Sequence, residues 1–134
     1  MKKNKFKIYK GKIVKRKFNI STKEIKKFAS LTSDHHPIHF DKIYTINRGF
    51  ADILLQGLFI SSLSVGQITD ELIGDDMLVI SQEFSYHIPI YANQNFLITT
   101  KIKEINTKFK IAFIEIKVII TKKIHAQGNI SLKI

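Results

Sequence analysis

The chain's 134 residues are enough for one domain with a core of its own. It contains no cysteine, which excludes a disulfide framework and a thiolate zinc site, and no apolar run approaches the roughly 18 residues of a membrane span. The net charge of +11 is confined to the first fifth of the sequence, where residues 1–27 hold eleven lysines and Arg16 against Glu24 alone, and the remainder is neutral.

A basic segment of this kind suits an anionic partner. Nucleic acid is disfavoured, because bidentate base and phosphate contacts favour arginine and the chain has only two, Arg16 and Arg48. The lysine-rich start, Met1-Lys2-Lys3-Asn4-Lys5, is not followed by the apolar stretch of a signal peptide. A cytoplasmic location is therefore the expectation.

In chain order, residues 6–20 read as a strand or a pair of short strands, with a bend or bulge at Gly11. Ser21-Thr22-Lys23-Glu24 is a capping box. Ile25, Phe28, Ala29 and Thr32 recur on one helical face, which predicts a helix over 22–32 that stops at Ser33-Asp34, with Pro37 forbidding continuation. Residues 33–56 lack regular periodicity apart from a possible helical turn at 41–47. From Gly57 the sequence is apolar or small on nearly every side, which predicts a helix over 57–72 buried all round, ending before Gly74, with Gly66 allowing close sheet packing.

The second half is β. Leu78, Ile80, Phe84, Tyr86, Ile88 and Ile90 alternate with Val79, Ser81, Glu83, Ser85 and His87. Strands over 96–105 and 109–121 follow around a turn near Asn106-Thr107. In the later strand Phe109, Ile111 and Phe113 are odd, then Ile114, Ile116, Val118 and Ile120 are even, as a β-bulge near 113 or burial on both faces would produce. Ile124, Ala126, Gly128, Ile130, Leu132 and Ile134 close the chain in clean alternation. His87 and His125 fall on the polar faces and are expected to be exposed. The order strand, helix, loop, long helix and four strands is that of an α+β domain, one antiparallel sheet wrapped around a helix.

The chemistry is concentrated in Ser33-Asp34-His35-His36-Pro37-Ile38-His39-Phe40-Asp41, which holds three of the five histidines and two carboxylates. An aspartate and a histidine five apart on a loop held by proline can point into one cavity and hold a water, one taking its proton and the other supplying one. Two rival chemistries draw on the same residues. His35, His36, His39 and Asp41 are acceptable metal ligands, but their spacing is not that of the helical zinc motif, and adjacent His35 and His36 diverge on an extended chain. Ser33, Ser61, Ser62 and Ser64 are possible nucleophiles, but none lies in a G-x-S-x-G elbow.

The segment Asp34-His35-His36-Pro37-Ile38-His39-Phe40-Asp41 resembles the D-x-N-P-x-H-x-D signature of the MaoC-like (R)-specific enoyl-CoA hydratases. Phe50 to Phe59 resembles the segment that leads, in that family, through a His-Gly pair into the central helix. The interval from Asp34 to Gly57 matches without a gap, and Phe84-Ser85-Tyr86-His87-Ile88-Pro89-Ile90 resembles the strand and proline that follow.

The resemblance covers nearly the whole chain, residues 1–134 as a single domain, and implies the hot-dog fold. It implies that Asp34 and His39 activate the water added to a 2-enoyl thioester, without metal or cofactor, and that the Gly57 backbone N–H holds the thioester oxygen. It places two substituted positions beside the substrate: His36 for the family asparagine and Gln56 for the family histidine. Ala92-Asn93-Gln94 replaces the usual Gly-Asp turn. It further implies a thioester of coenzyme A or of acyl carrier protein as substrate, and a homodimer covering an exposed apolar sheet face. The basic N-terminal segment would then grip the anionic carrier. A hot-dog thioesterase and a non-catalytic acyl-thioester-binding protein are the alternatives.

Overall fold

The computed structural model describes residues 6–134; the lysine-rich start at Met1–Lys5 lies outside the described residues. Strand β1 (Ile13–Asn19) leads into helix α1 (Thr22–Thr32). A single 3-10 turn at Pro37–His39 and the short helix α2 (Lys42–Asn47) follow. The central helix α3 (Gly57–Gln67) continues into a wider π turn at Ile68–Leu72, and strands β2 (Leu78–Tyr86), β3 (Asn95–Asn106), β4 (Ile111–Ile120) and β5 (Lys123–Lys133) complete the chain. The strands form one antiparallel sheet in the order β1-β3-β4-β5-β2.

Local sequence accounts for most boundaries. The capping box is formed: Ser21 Oγ accepts the Glu24 N–H at 3.2 Å, and Glu24 Oε1 accepts the Ser21 N–H at 3.0 Å. Gly11 bends the chain before β1 at φ +90° and donates its N–H to the Ile102 carbonyl at 2.8 Å. Gly128 of β5 lies so close to β2 that a Cβ there would meet the Glu83 carbonyl oxygen at 2.6 Å. The core lies on one face of the sheet, where Ile98, Ile102, Ile114, Ile116, Ile130 and Leu132 pack with Ile60 of α3 and with Ile68 and Leu72 of the π turn.

Four expectations are corrected. In β4 the even residues Ala112, Ile114, Ile116 and Val118 point inward throughout, so no phase switch occurs at Phe113. The bulge is one strand over, at Lys103 of β3, where the register passes from Ile102–Ile114 to Glu104–Phe113, and Phe109 and Phe113 are exposed. The central helix is not buried all round, because Leu58, Ser62 and Gly66 form an exposed stripe, and a Cβ on Gly66 would meet nothing within 4 Å. His125 is buried, with its Nδ1 3.3 Å from the Pro89 carbonyl oxygen.

On the sheet face turned away from the core, Glu83, Ser85, Lys103, Glu115, Lys117 and Asn129 gather in a polar patch. Exposed apolar side chains are found at several places, among them Leu31, Ile43 and Leu58, and on the free edge strand β2, where Leu78 and Ile80 are 72% and 55% exposed. A strand at the end of a sheet has only one strand neighbour, and Leu78 and Ile80 are left exposed on it.

Candidate active site

The loop after α1 is tied down residue by residue. Ser33 takes a left-handed conformation at φ 57°, and Asp34 donates its N–H to the Ala29 carbonyl at 3.0 Å, which ends the helix. Pro37 opens the 3-10 turn, a place where its missing N–H costs nothing. His36 caps that turn, with its Nδ1 accepting the Ile38 N–H at 3.2 Å. Asp41 caps α2 by accepting the Tyr44 N–H at 3.0 Å. Asp41 is therefore part of the scaffold, as the position of the second carboxylate in the motif allows.

The 3-10 turn carries His39 inward until it is 8% exposed. Its Nδ1 lies 2.8 Å from the Leu54 carbonyl oxygen, and Leu54 donates its own N–H to the Ile38 carbonyl at 2.9 Å. A carbonyl only accepts, so Nδ1 carries the proton and the lone pair of the neutral ring sits on Nε2. Nε2 faces Asp34 Oδ2 at 3.6 Å. That is too long for a direct hydrogen bond and close enough for one water to reach both atoms at ordinary length.

His39 lies in the wall of a mainly apolar pocket of about 360 Å³, together with Leu54, Gly57, Ile60, Tyr86, Pro89 and Ala126. Gly57 is the first residue of α3. Helix α1, the 3-10 turn and α2 each have a side-chain cap, from Ser21, His36 and Asp41, but α3 has none. Its opening N–H groups, at the positive end of the helix dipole, remain available to an oxygen bound in the pocket. The Tyr86 ring lies directly on Gly57, where a Cβ would sit 2.7 Å from Cζ, and its hydroxyl donates to the Gly57 carbonyl at 2.8 Å. Burial raises the Tyr86 pKa, which keeps this donor protonated.

The fold thus places His39 and Gly57 in one pocket wall and sets Asp34 3.6 Å from His39 Nε2, while Asp34, His36 and Gln56 are not themselves part of that wall. His36 serves the turn, as described. Gln56 is buried, and its Nε2 donates to the Ile25 carbonyl at 2.9 Å, which ties α3 to α1. Its reach takes it to the helix behind rather than to the pocket. Among the described residues, no group of three or more histidines and carboxylates is placed to hold a metal ion. Tyr86 and the Leu54 carbonyl are contacts of Gly57 and His39 that the sequence reading missed. Tyr86 lies in the segment flagged by resemblance, but nothing local signals that its hydroxyl meets Gly57, and a backbone carbonyl has no sequence signature.

Among the described residues, Lys10, Lys12, Lys15 and Lys17 are not in the pocket wall. Strand β1 is at the opposite edge of the sheet from β2, whose end frames the pocket. Lys12 Nζ donates to the Leu72 carbonyl at 2.6 Å, Lys10 pairs with Glu104 at 3.0 Å, and Arg16 lies 3.5 and 3.6 Å from Asp70 and Glu71. The sheet order and these contacts place Lys10, Lys12 and Arg16 toward the β1 edge, away from the β2 end that frames the pocket.

An α+β hot-dog domain with a histidine–aspartate pair beside an uncapped central helix defines the class of protein. The profile of the MaoC like domain matches residues 7–124, and the chain belongs to that family. Among curated proteins it is similar to the (R)-specific enoyl-CoA hydratase of Aeromonas caviae, 23% identical over 106 residues, 79% of this chain and 75% of that protein. It is also similar to the mitochondrial 3-hydroxyacyl-(acyl-carrier-protein) dehydratase FERN of Solanum lycopersicum, 27% identical over 102 residues, 74% of this chain and 61% of that protein. Among solved structures it superposes on the (R)-hydratase from A. caviae involved in PHA biosynthesis with a TM-score of 0.90 at 18% identity, over 95% of this chain and 97% of that one. No helix among the described residues is long and apolar enough to cross a membrane.

Proposed function

We propose that the chain hydrates a 2-enoyl thioester to a 3-hydroxyacyl thioester, or dehydrates it in reverse. The observation that carries this reading is the 3.6 Å approach of His39 Nε2 to Asp34 Oδ2, with His39 in a pocket whose wall includes the uncapped start of α3. Asp34 and His39 hold the water. His39 Nε2 takes a proton as the water oxygen bonds to C3, and the C2–C3 π electrons move toward the thioester carbonyl. The enolate oxygen that develops is held by the Gly57 N–H, where fixed donors and the helix dipole act with no reorganisation. The proton then returns to C2, so OH and H are added and both residues end as they began. The pocket's apolar wall suits the acyl chain of a coenzyme A or acyl-carrier-protein thioester. The curated relatives, a hydratase and a dehydratase, support this chemistry.

The working form in this reading is a homodimer. Support comes from the free edge of β2 with its exposed Leu78 and Ile80, and from the exposed Leu58, Ser62 and Gly66 stripe on α3. An uncovered apolar edge strand is a template for pairing with another chain.

Hydration of crotonyl-CoA, followed by loss of enoyl absorbance with free thiol monitored in parallel, tests the reading. Absorbance loss without thiol is the expected result. Thiol release makes the protein a thioesterase, and no change in either leaves acyl-thioester binding without chemistry.

A further inference from the structure

His36 is joined to both members of the reacting pair. Its backbone N–H points at Asp34 Oδ1, 3.3 Å away, and its Nδ1 accepts the Ile38 N–H, which caps the turn carrying His39. The rings of His36 and His39 meet edge-on with centroids 6.3 Å apart. At this position of the signature the family has asparagine, whose side-chain oxygen can accept the same N–H and never titrates. An imidazole accepts only while Nδ1 is unprotonated. Once protonated, Nδ1 is a donor facing a donor, the cap is lost, and a positive charge stands beside His39.

We propose that His36 is a pH-sensitive positioning residue, which seats His39 against Asp34 while it is neutral and releases the turn when it is protonated. An imidazole at this cap can gain a proton, which the asparagine amide cannot. The titratable and charged groups around it are Asp34, His35, His39, Asp41, Tyr44 and Arg48. Tyr44 meets the His36 ring edge-on at 6.1 Å, and the Arg48 guanidinium lies over the Tyr44 ring at 5.3 Å. All six remain when His36 is replaced, so an ionisation that disappears with the replacement belongs to His36.

The kinetic arm of the test rests on the hydratase reading; the spectroscopic arm does not. For kcat of crotonyl-CoA hydration between pH 5 and 8, the wild type is expected to fall on the acid side with two ionisations, that of His39 as base and that of His36. His36→Asn keeps an acceptor at the cap, so its plateau should stay within about threefold and its acid limb should show one ionisation. His36→Leu removes the cap and should lower kcat about tenfold at every pH. Superimposable profiles for wild type and His36→Asn would overturn the proposal. In parallel, two-dimensional NMR of the substrate-free protein follows the Ile38 amide. Its shift should move with the midpoint of the His36 ring proton, and most of that movement should vanish in His36→Asn. An Ile38 amide that ignores the His36 midpoint overturns the proposal whatever the activity. A protein that shows the Ile38 response but hydrates nothing keeps the switch and loses the hydratase reading.

Discussion

The carbonyl of Leu54 accepts the Nδ1 proton of His39 at 2.8 Å, and the Leu54 N–H returns a bond to the Ile38 carbonyl at 2.9 Å. One residue therefore fixes both the ring of His39 and the backbone just before it. Leu54 is itself held in place, because it bridges to Tyr91, with Leu55 donating to the Ile90 carbonyl at 2.8 Å and Ala92 to the Ile53 carbonyl at 2.9 Å. The tautomer that leaves Nε2 free to act as a base is thus set by backbone geometry rather than by a carboxylate partner.

In the proposed hydratase reading, Asp34 holds the water and His39 is its base. Asp34→Asn and His39→Ala should each lower kcat by about 10²-fold or more, the range for a lost acid or base, with much smaller changes in substrate affinity. The double variant should be little worse than the poorer single one, since the two act as a unit. Steady-state hydration kinetics check this, and near-normal turnover in either single variant would sink the mechanism.

The contact between Gly57 and Tyr86 sets a second prediction. Gly57→Ala places a methyl 2.7 Å from the Tyr86 ring, so the ring must swing away and the 2.8 Å bond to the Gly57 carbonyl is lost. Tyr86→Phe removes only that bond and should cost about 1 kcal/mol by urea unfolding. The double variant should then be no less stable than Gly57→Ala alone. The Tyr86 pKa is raised by burial, so its contribution is fully present below the ordinary phenol value of about 10 and is lost as pH rises through the raised one. Wild type and Tyr86→Phe should accordingly differ equally at pH 6 and pH 8, and equal stability at both values would count against the bond.

Helix α1 delivers the chain to the site, and its start is pH-dependent. The Ser21 backbone N–H, and then the Ser21 hydroxyl, hold the Glu24 carboxyl below its usual value. A depressed carboxylate contributes stability above its ordinary range and loses it as pH falls through the lowered pKa. The Tm gap between wild type and Glu24→Gln should therefore be present at pH 7 and narrow toward pH 3. Ser21→Ala should cost about 1 kcal/mol at pH 7. A gap that is constant with pH would show that the box contributes nothing through its charge.

The dimer reading predicts a mass. At tens of micromolar the wild type should sediment as a dimer, and Ile80→Lys, which places a charge on the β2 edge, should sediment as a folded monomer. A monomeric wild type, or a dimer indifferent to the lysine, removes β2 as the interface.

The features readable from sequence were those settled by neighbours along the chain. The Ser21–Glu24 box starts α1, Pro37 forbids its extension, and the alternation from Ile124 to Ile134 places β5, because each depends on bonds or faces within a few residues. The five-residue interval likewise made Asp34 and His39 candidates to share one water, and they lie 3.6 Å apart. Tertiary structure decided which faces are covered. Periodicity shows that residues share a face, but the element packed against that face is distant in sequence. Leu58, Ser62 and Gly66 read as interior and lie exposed, whereas His125 reads as surface and is buried. The bulge inferred from the β4 pattern sits in β3, because register belongs to a pair of strands and not to one. Sheet order put the β1 lysines at the edge away from the pocket. The proton on His39 and the hydroxyl over Gly57 depend on Leu54 and Tyr86, 15 and 29 residues away, and only folding brings those groups within hydrogen-bond distance.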